Sequence, residues 1–214
     1  MQLDRTALED ALADLGRRAH AEGTSIDIAI YGGSALILAS NFRQATADVD
    51  AVADMFQQSL VDRLAEEIAR DRGWPREWLN NGVATYLSPN VDGVTDHHTM
   101  FRSYPSEAEP GVRVFVPTAE YMLAMKLNAL RVGTVQQAGK DRDDIDHLLT
   151  ICGIATADAA MAFAAFFYPE YAADSRIYSR HLLRLRAYFA DRPLAKRSAI
   201  YDPANPPPPA LPDT

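Results

Sequence analysis

Two aspartates, Asp48 and Asp50, stand one residue apart at the head of an otherwise apolar run that continues to Ala53. A strand places residues i and i+2 on one face. At about 3.3 Å per residue, their alpha carbons would lie roughly 6.6 Å apart. Two carboxylates so placed can converge on one hard cation, or on a cation pair about 3.5–4 Å apart. Unpaired acids in an apolar strand are costly, which favours a ligand-holding role over a solvated edge strand. Just upstream, Tyr31-Gly32-Gly33-Ser34 follows the apolar run Ile26 to Ile30. Gly32 and Gly33 let backbone approach a ligand closely, and Ser34 opens a short helix, Ala35 to Ala39, whose free N–H groups suit a phosphate. A phosphate-friendly turn followed by a carboxylate pair is what metal-assisted nucleotidyl transfer requires. Arg43, in the polar loop Asn41 to Ala47 between the two, is counted with the turn as a nucleotide-binding candidate.

The elements that must position these groups follow from periodicity. Leu8, Ala11, Leu12 and Leu15 recur at helical spacing, which predicts a helix from Asp4 to about Ala21 with a capping box at Thr6–Glu9. Ile26, Ile28 and Ile30 alternate with other residues and predict a strand. A second strand is expected over Asp48–Ala53, and a helix through Leu60, Leu64 and Ile68 that stops at Gly73. Thr99–Tyr104 and Val112–Val116 are strand candidates joined by a hairpin loop. Helices follow at Ala119–Arg131, Asp141–Ile151, Thr156–Phe167 and Ser175–Asp191, with a break at Gly133–Gly139. The proline-rich segment Pro203–Pro209 should be extended and unpacked. Strands confined to the first 117 residues, followed by helices, imply an α+β fold. The expected division is an α+β core over residues 1–117, a helical region completing the site over 118–192, and a tail over 193–214.

The 214 residues can bury a sizeable core. The net charge of −8 argues against broad nonspecific nucleic-acid binding, while leaving room for a local basic groove. A single cysteine, Cys152, excludes an internal disulfide and fits a reducing cytoplasm. It reads as a small core residue, as do Phe163, Phe166 and Phe167. No apolar run approaches the ~20 residues of a membrane span, and the polar start of the chain does not read as a signal peptide.

The stretch from Tyr31-Gly32-Gly33-Ser34 to Asp48-Val49-Asp50 resembles the signature of the nucleotidyltransferase superfamily. More narrowly, the chain resembles the AbiEii-like (MenT-like) nucleotidyltransferases of toxin–antitoxin and phage-defence systems, and a related uncharacterised group. Trp78-Leu79-Asn80-Asn81, Lys126-Leu127-Asn128-Ala129-Leu130-Arg131 and Lys140-Asp141-Arg142-Asp143-Asp144-Ile145 extend the likeness. The resemblance implies a small mixed sheet flanked by helices, followed by a C-terminal helical bundle. It implies that Asp48 and Asp50 hold Mg²⁺ or Mn²⁺. Gly33 and Ser34 would contact the phosphates of an NTP such as ATP, Lys126 and Arg131 would serve the triphosphate, and Asp144 would complete the acidic site. The implied acceptor is a tRNA 3′ end or a protein hydroxyl, with a cognate toxin or antitoxin as partner; a small-molecule acceptor is a third option. The strand Gly111–Val116 offers no third carboxylate. Asp144 or Asp141 then substitutes from a helix, or the site has two acids only. A catalytically inactive nucleotidyltransferase fold acting as a binding or antitoxin module is the alternative.

Without the resemblance, Lys126 reads as a lysine snorkelling from an apolar helix and Arg131 as a helix C-terminal cation. Asp141 and Asp144 share a helix face, and Asp144 is the one expected to turn inward. Asp96-His97-His98 matches the short signature of a metal-dependent phosphoesterase family, but an ordinary surface loop is the simpler reading. Arg142…His147 and Arg176…His181 fit the loose Arg-x4-His pattern of helical ribonuclease toxins, a pattern that arginine-rich helices produce by accident.

Overall fold

Helix α1 (Arg5–Ala21) begins at Asp4, whose carboxylate accepts the Ala7 N–H at 2.8 Å. Such a cap is worth about 1 kcal/mol. It displaces the capping box expected at Thr6–Glu9, because Asp4 reaches the first-turn donor sooner. Leu8, Ala11, Leu12, Leu15 and Ala19 form the buried stripe of the helix. This computed structural model describes residues 1–130, 138–191 and 199–208. Contacts divide the chain into two compact units. One comprises Met1–Thr85, Gly93–Thr118 and the segment from Tyr201 onward; the other comprises Tyr86–Asp92 and Ala119–Ile200.

The first unit is a five-stranded mixed sheet with helices. Its strands are β1 (Ile26–Tyr31), β2 (Val49–Ala53), β3 (Leu79–Asn80), β4 (His98–Pro105) and β5 (Pro110–Pro117), in the order β3-β2-β1-β5-β4. β1 is central and nearly continuous in its burial, as a strand covered on both faces must be. It pairs antiparallel with β2 and parallel with β5. β3 runs parallel to β2, and β4 antiparallel to β5. Between β1 and β2 lies α2 (Gly32–Ala39), and after β2 comes α3 (Gln58–Arg72). Gly73 ends α3 in the left-handed conformation at φ 65°, as its position past the last periodic residue implies.

Helix α1 packs on the β4–β5 hairpin through two glycines. A Cβ on Gly16 would fall on the Tyr104 carbonyl, and one on Gly111 on the Gly16 carbonyl. Backbone meets backbone there, so no side chain can give way. On its other side, Arg18 gathers Asp14, Glu67 and Asp71, linking α1 to α3. Residues 201–208 also join this unit. Tyr201 bridges Ser40, its hydroxyl donates to the Pro117 carbonyl at 2.6 Å, Arg5 donates to the Pro207 carbonyl at 2.7 Å, and Pro203 and Pro207 are buried. Residues 201–208 are thus packed and bend at 203–205, where Asp202 Oδ1 accepts the Ala204 and Asn205 N–H groups, correcting the expectation of an extended, unpacked segment. Prolines lack a backbone donor but keep an acceptor, and here partners elsewhere in the unit supply the donors.

The second unit is helical: α4 (Ala119–Asn128), α5 (Ala138–Ile151), α6 (Ala157–Phe167), α7 (Glu170–Ala173) and α8 (Ser175–Ala190). Thr156 caps α6 and Asp174 caps α8. The Tyr188 hydroxyl on α8 donates to Asp146 Oδ1 on α5 at 2.7 Å and lies 3.0 Å from the Arg142 carbonyl. Phe167 is core, whereas Phe166 is 66% exposed, against expectation. Phe163 and Phe167 share a face at i, i+4, and Phe166 falls off it. Helix α4 ends at Asn128, short of the expected Arg131, and α5 starts at Ala138, inside the expected break. Arg131, and most of that break, lie outside the described residues. Among the described residues no helix is long and apolar enough to cross a membrane.

Candidate functional site

The site begins where β1 runs into α2. Gly32 sits at φ +60°, and a Cβ there would stand 2.7 Å from Asp50 Oδ2. The left-handed turn and the adjoining carboxylate therefore both call for glycine. Tyr31 is paired with Asp50 across β1 and β2, which brings Asp50 to the end of β1 beside the first residue of α2. A carboxylate so placed also complements the positive end of a helix. Asp48 lies just before β2, which begins at Val49 rather than at the expected Asp48. Asp48 is exposed, Val49 buried and Asp50 half-buried, the alternation expected if the two acids share one face.

Around this pair the neighbouring loops are pinned. A Cβ on Gly33 would meet Thr46 Oγ1 at 3.0 Å and Arg43 Nη2 at 3.2 Å, so the Arg43 guanidinium lies over the glycine turn. Arg43 Nε donates to the Ala45 carbonyl at 3.1 Å, and Thr46 is bridged to Leu3 by two backbone hydrogen bonds. The Ser34 hydroxyl is buried and donates to the Tyr31 carbonyl at 2.8 Å. It shapes the turn from inside, leaving backbone N–H groups as the donors the turn can offer. On the other side of Asp50, Asn80 is its register partner on β3. Trp78 fixes that strand: its indole is buried and donates to the Ala65 carbonyl on α3 at 2.9 Å. Asn80 Oδ1 in turn accepts the Gly82 N–H at 2.9 Å.

His98, expected in an ordinary surface loop, is instead part of the sheet. It is the first residue of β4, with Nε2 3.0 Å from the buried Tyr31 hydroxyl and the two rings edge to face. Its Nδ1 meets the Asp96 carbonyl, which can only accept. Nδ1 therefore carries the proton, and Tyr31 donates to Nε2. Burial lowers the His98 pKa from its ordinary value and the Asp96 carbonyl opposes that shift, so the neutral ring is favoured at neutral pH. The signal that could have found it is the placement of His98 at the start of an alternating run.

In the second unit, Lys126 on α4 and Asp144 on α5 are brought together. Lys126 Nζ lies 2.9 Å from Asp144 Oδ2 and 3.1 Å from Asp141 Oδ1. The Lys126 and Asp144 side chains are 12% and 3% exposed, while Asp141 is 64% exposed. Lys126 therefore does not snorkel; it closes a nearly buried ion pair, and of Asp141 and Asp144 it is Asp144 that turns inward. Its neighbour Asp143 has a raised pKa, through burial and then the nearby Asp144 charge. His181 is buried and stacked on Tyr171, so the Arg176…His181 pair presents no solvent-facing imidazole. Burial pushes the Cys152 thiol up to about 12, as befits a packed rather than a reactive cysteine.

Asp48, exposed, and Asp50, half-buried, are the two carboxylates that could serve a cation here. Among the described residues no three His, Cys, Asp or Glu side chains gather into a preformed metal site. Mg²⁺ is commonly held by one or two carboxylates, with substrate phosphates and water completing its shell, and the pair beside the glycine turn fits that mode. The one charged side chain of β5, Arg113, is committed to Asp27 on β1, with hydrogen bonds of 2.6 and 2.8 Å. No protein-family model, curated protein or solved structure matches this chain.

Proposed function

We propose that the chain is a metal-dependent nucleotidyltransferase, moving a nucleoside monophosphate from an NTP to an acceptor hydroxyl. The observation that carries this reading is Asp50 held over the Gly32 turn with Asp48 two residues before it. Asp48 and Asp50 would hold Mg²⁺ or Mn²⁺. Such an ion supplies charge neutralisation on the triphosphate and a lowered pKa for the acceptor hydroxyl. Gly32 and Gly33 let phosphates approach the backbone N–H groups that open α2. Arg43, whose guanidinium lies over Gly33, would meet phosphate oxygens there. The acceptor oxygen attacks the α-phosphorus, the bond to the bridging oxygen breaks, pyrophosphate leaves and the hydroxyl proton is released. Positioning and neutralisation supply most of the acceleration in such transfers. The acceptor within this reading is an RNA 3′ hydroxyl, as on tRNA, or a hydroxyl of a partner protein in a cytoplasmic toxin–antitoxin pair.

One observation favours a second reading, a nucleotide-binding module without turnover. Lys126 and Asp144 are engaged with each other, and β5 contributes no carboxylate. Calorimetric titration of each NTP with Mg²⁺ separates the cases. Metal-dependent binding lost in Asp48→Ala/Asp50→Ala, with labelled nucleotide passing to RNA or protein, supports transfer. Binding without transfer to either acceptor supports the module. Absence of NTP binding in the wild type removes both.

A further inference from the structure

Helix α8 runs against the charge balance of the chain. It carries Arg176, Arg180, Arg184 and Arg186 and no acid, in a protein with 21 Lys and Arg against 29 Asp and Glu. Its buried stripe is His181, Leu185 and Tyr188. With 3.6 residues per turn, Arg176, Arg180 and Leu183 fall away from that stripe and Arg184 borders it, and all four are exposed. Successive arginines are four residues apart, so the ridge advances about 6 Å per guanidinium. Arg186 is paired with Asp158 at 3.0 Å. Arg176, Arg180 and Arg184 have no side-chain ion pair among the described residues. Like charges at i, i+4 cost a helix a few tenths of a kcal/mol per pair.

We infer that this ridge docks a nucleic-acid backbone. Three forked cations in line complement a row of phosphates, each guanidinium able to bind one bidentately. Leu183 and Ile177 are the large apolar side chains exposed beside the arginines, too little for the apolar core of a protein interface. The charge therefore favours a polyanion over a protein partner. This concerns binding alone, and it stands whether or not the acidic pair transfers a nucleotide.

The test is fluorescence anisotropy of a short labelled single-stranded RNA at several salt concentrations, without NTP or metal. Binding should weaken linearly on a log–log plot against salt. In Arg176→Gln/Arg180→Gln/Arg184→Gln the slope should fall by about 2, at roughly 0.7 per lost single-strand phosphate contact, and affinity should drop at least tenfold. DNA of the same sequence should compete, because the backbone is what is read. Arg63→Gln, which removes an exposed arginine of α3, should bind as wild type. Circular dichroism checks that the triple variant keeps its helix, and the wild-type salt slope is informative without any variant. An unchanged slope and affinity in the triple variant would overturn the inference. So would ridge-dependent binding of polyglutamate with no binding of RNA, which would assign the ridge to an acidic protein.

Discussion

Asp50 Oδ2 lies 2.7 Å from the point where a Cβ on Gly32 would stand, and Gly32 is in the left-handed conformation at φ +60°. The turn and the carboxylate are thus one unit. Gly32→Ala should cost about 1–2 kcal/mol of backbone strain and push the Asp50 carboxylate aside. The expected outcome is a modest fall in the urea midpoint with loss of Mg²⁺-dependent NTP binding. Normal NTP affinity in a folded Gly32→Ala variant would disconnect the turn from the site.

The Lys126–Asp144 pair gives a test of structure against ligand contact. Removing one partner of a buried pair leaves an uncompensated charge, at a cost of about 3–5 kcal/mol. Lys126→Met should therefore destabilise strongly, and Lys126→Met/Asp144→Leu should recover much of the loss in chemical denaturation. If Lys126→Met is instead as stable as wild type and loses only NTP binding, the lysine serves the triphosphate.

His181 makes stability depend on pH. Burial lowers its pKa from 6.5 to about 4. Between those values the unfolded chain binds the proton and the folded chain does not, so stability falls as pH drops through this window and is fully present above it. The shift corresponds to about 3 kcal/mol between pH 7 and pH 4. His181→Phe keeps an aromatic ring against Tyr171 and removes the titration. Denaturation midpoints of the variant should vary less with pH than those of wild type, and parallel curves would show that His181 does not contribute.

Gly111→Ala tests the contact between α1 and the hairpin. Its Cβ would fall on the Gly16 carbonyl, and backbone on both sides prevents relaxation. A loss of at least about 3 kcal/mol is expected, at the upper end of overpacking costs. A thermal midpoint within a degree or two of wild type would mean that α1 can lift off the sheet without penalty.

The sequence by itself determined the class of fold. The alternating isoleucines marked β1, short apolar runs marked β2 and β5, and the 3.6-residue stripe of Leu8, Leu12 and Leu15 marked α1, because burial is written into the chain as apolar runs and periods. It also placed Asp50 in β2 and Gly32 at the turn, since both depend on neighbours within a few residues. Tertiary structure alone decided who meets whom. Lys126 closes on Asp144 eighteen positions later, Tyr31 donates to His98, Asn80 comes into register with Asp50, and residues 201–208 pack within the first unit. Hydrophobic period reports that a face is covered but not by what. A charge or hydroxyl finds its partner across elements whose approach is set by packing of the core.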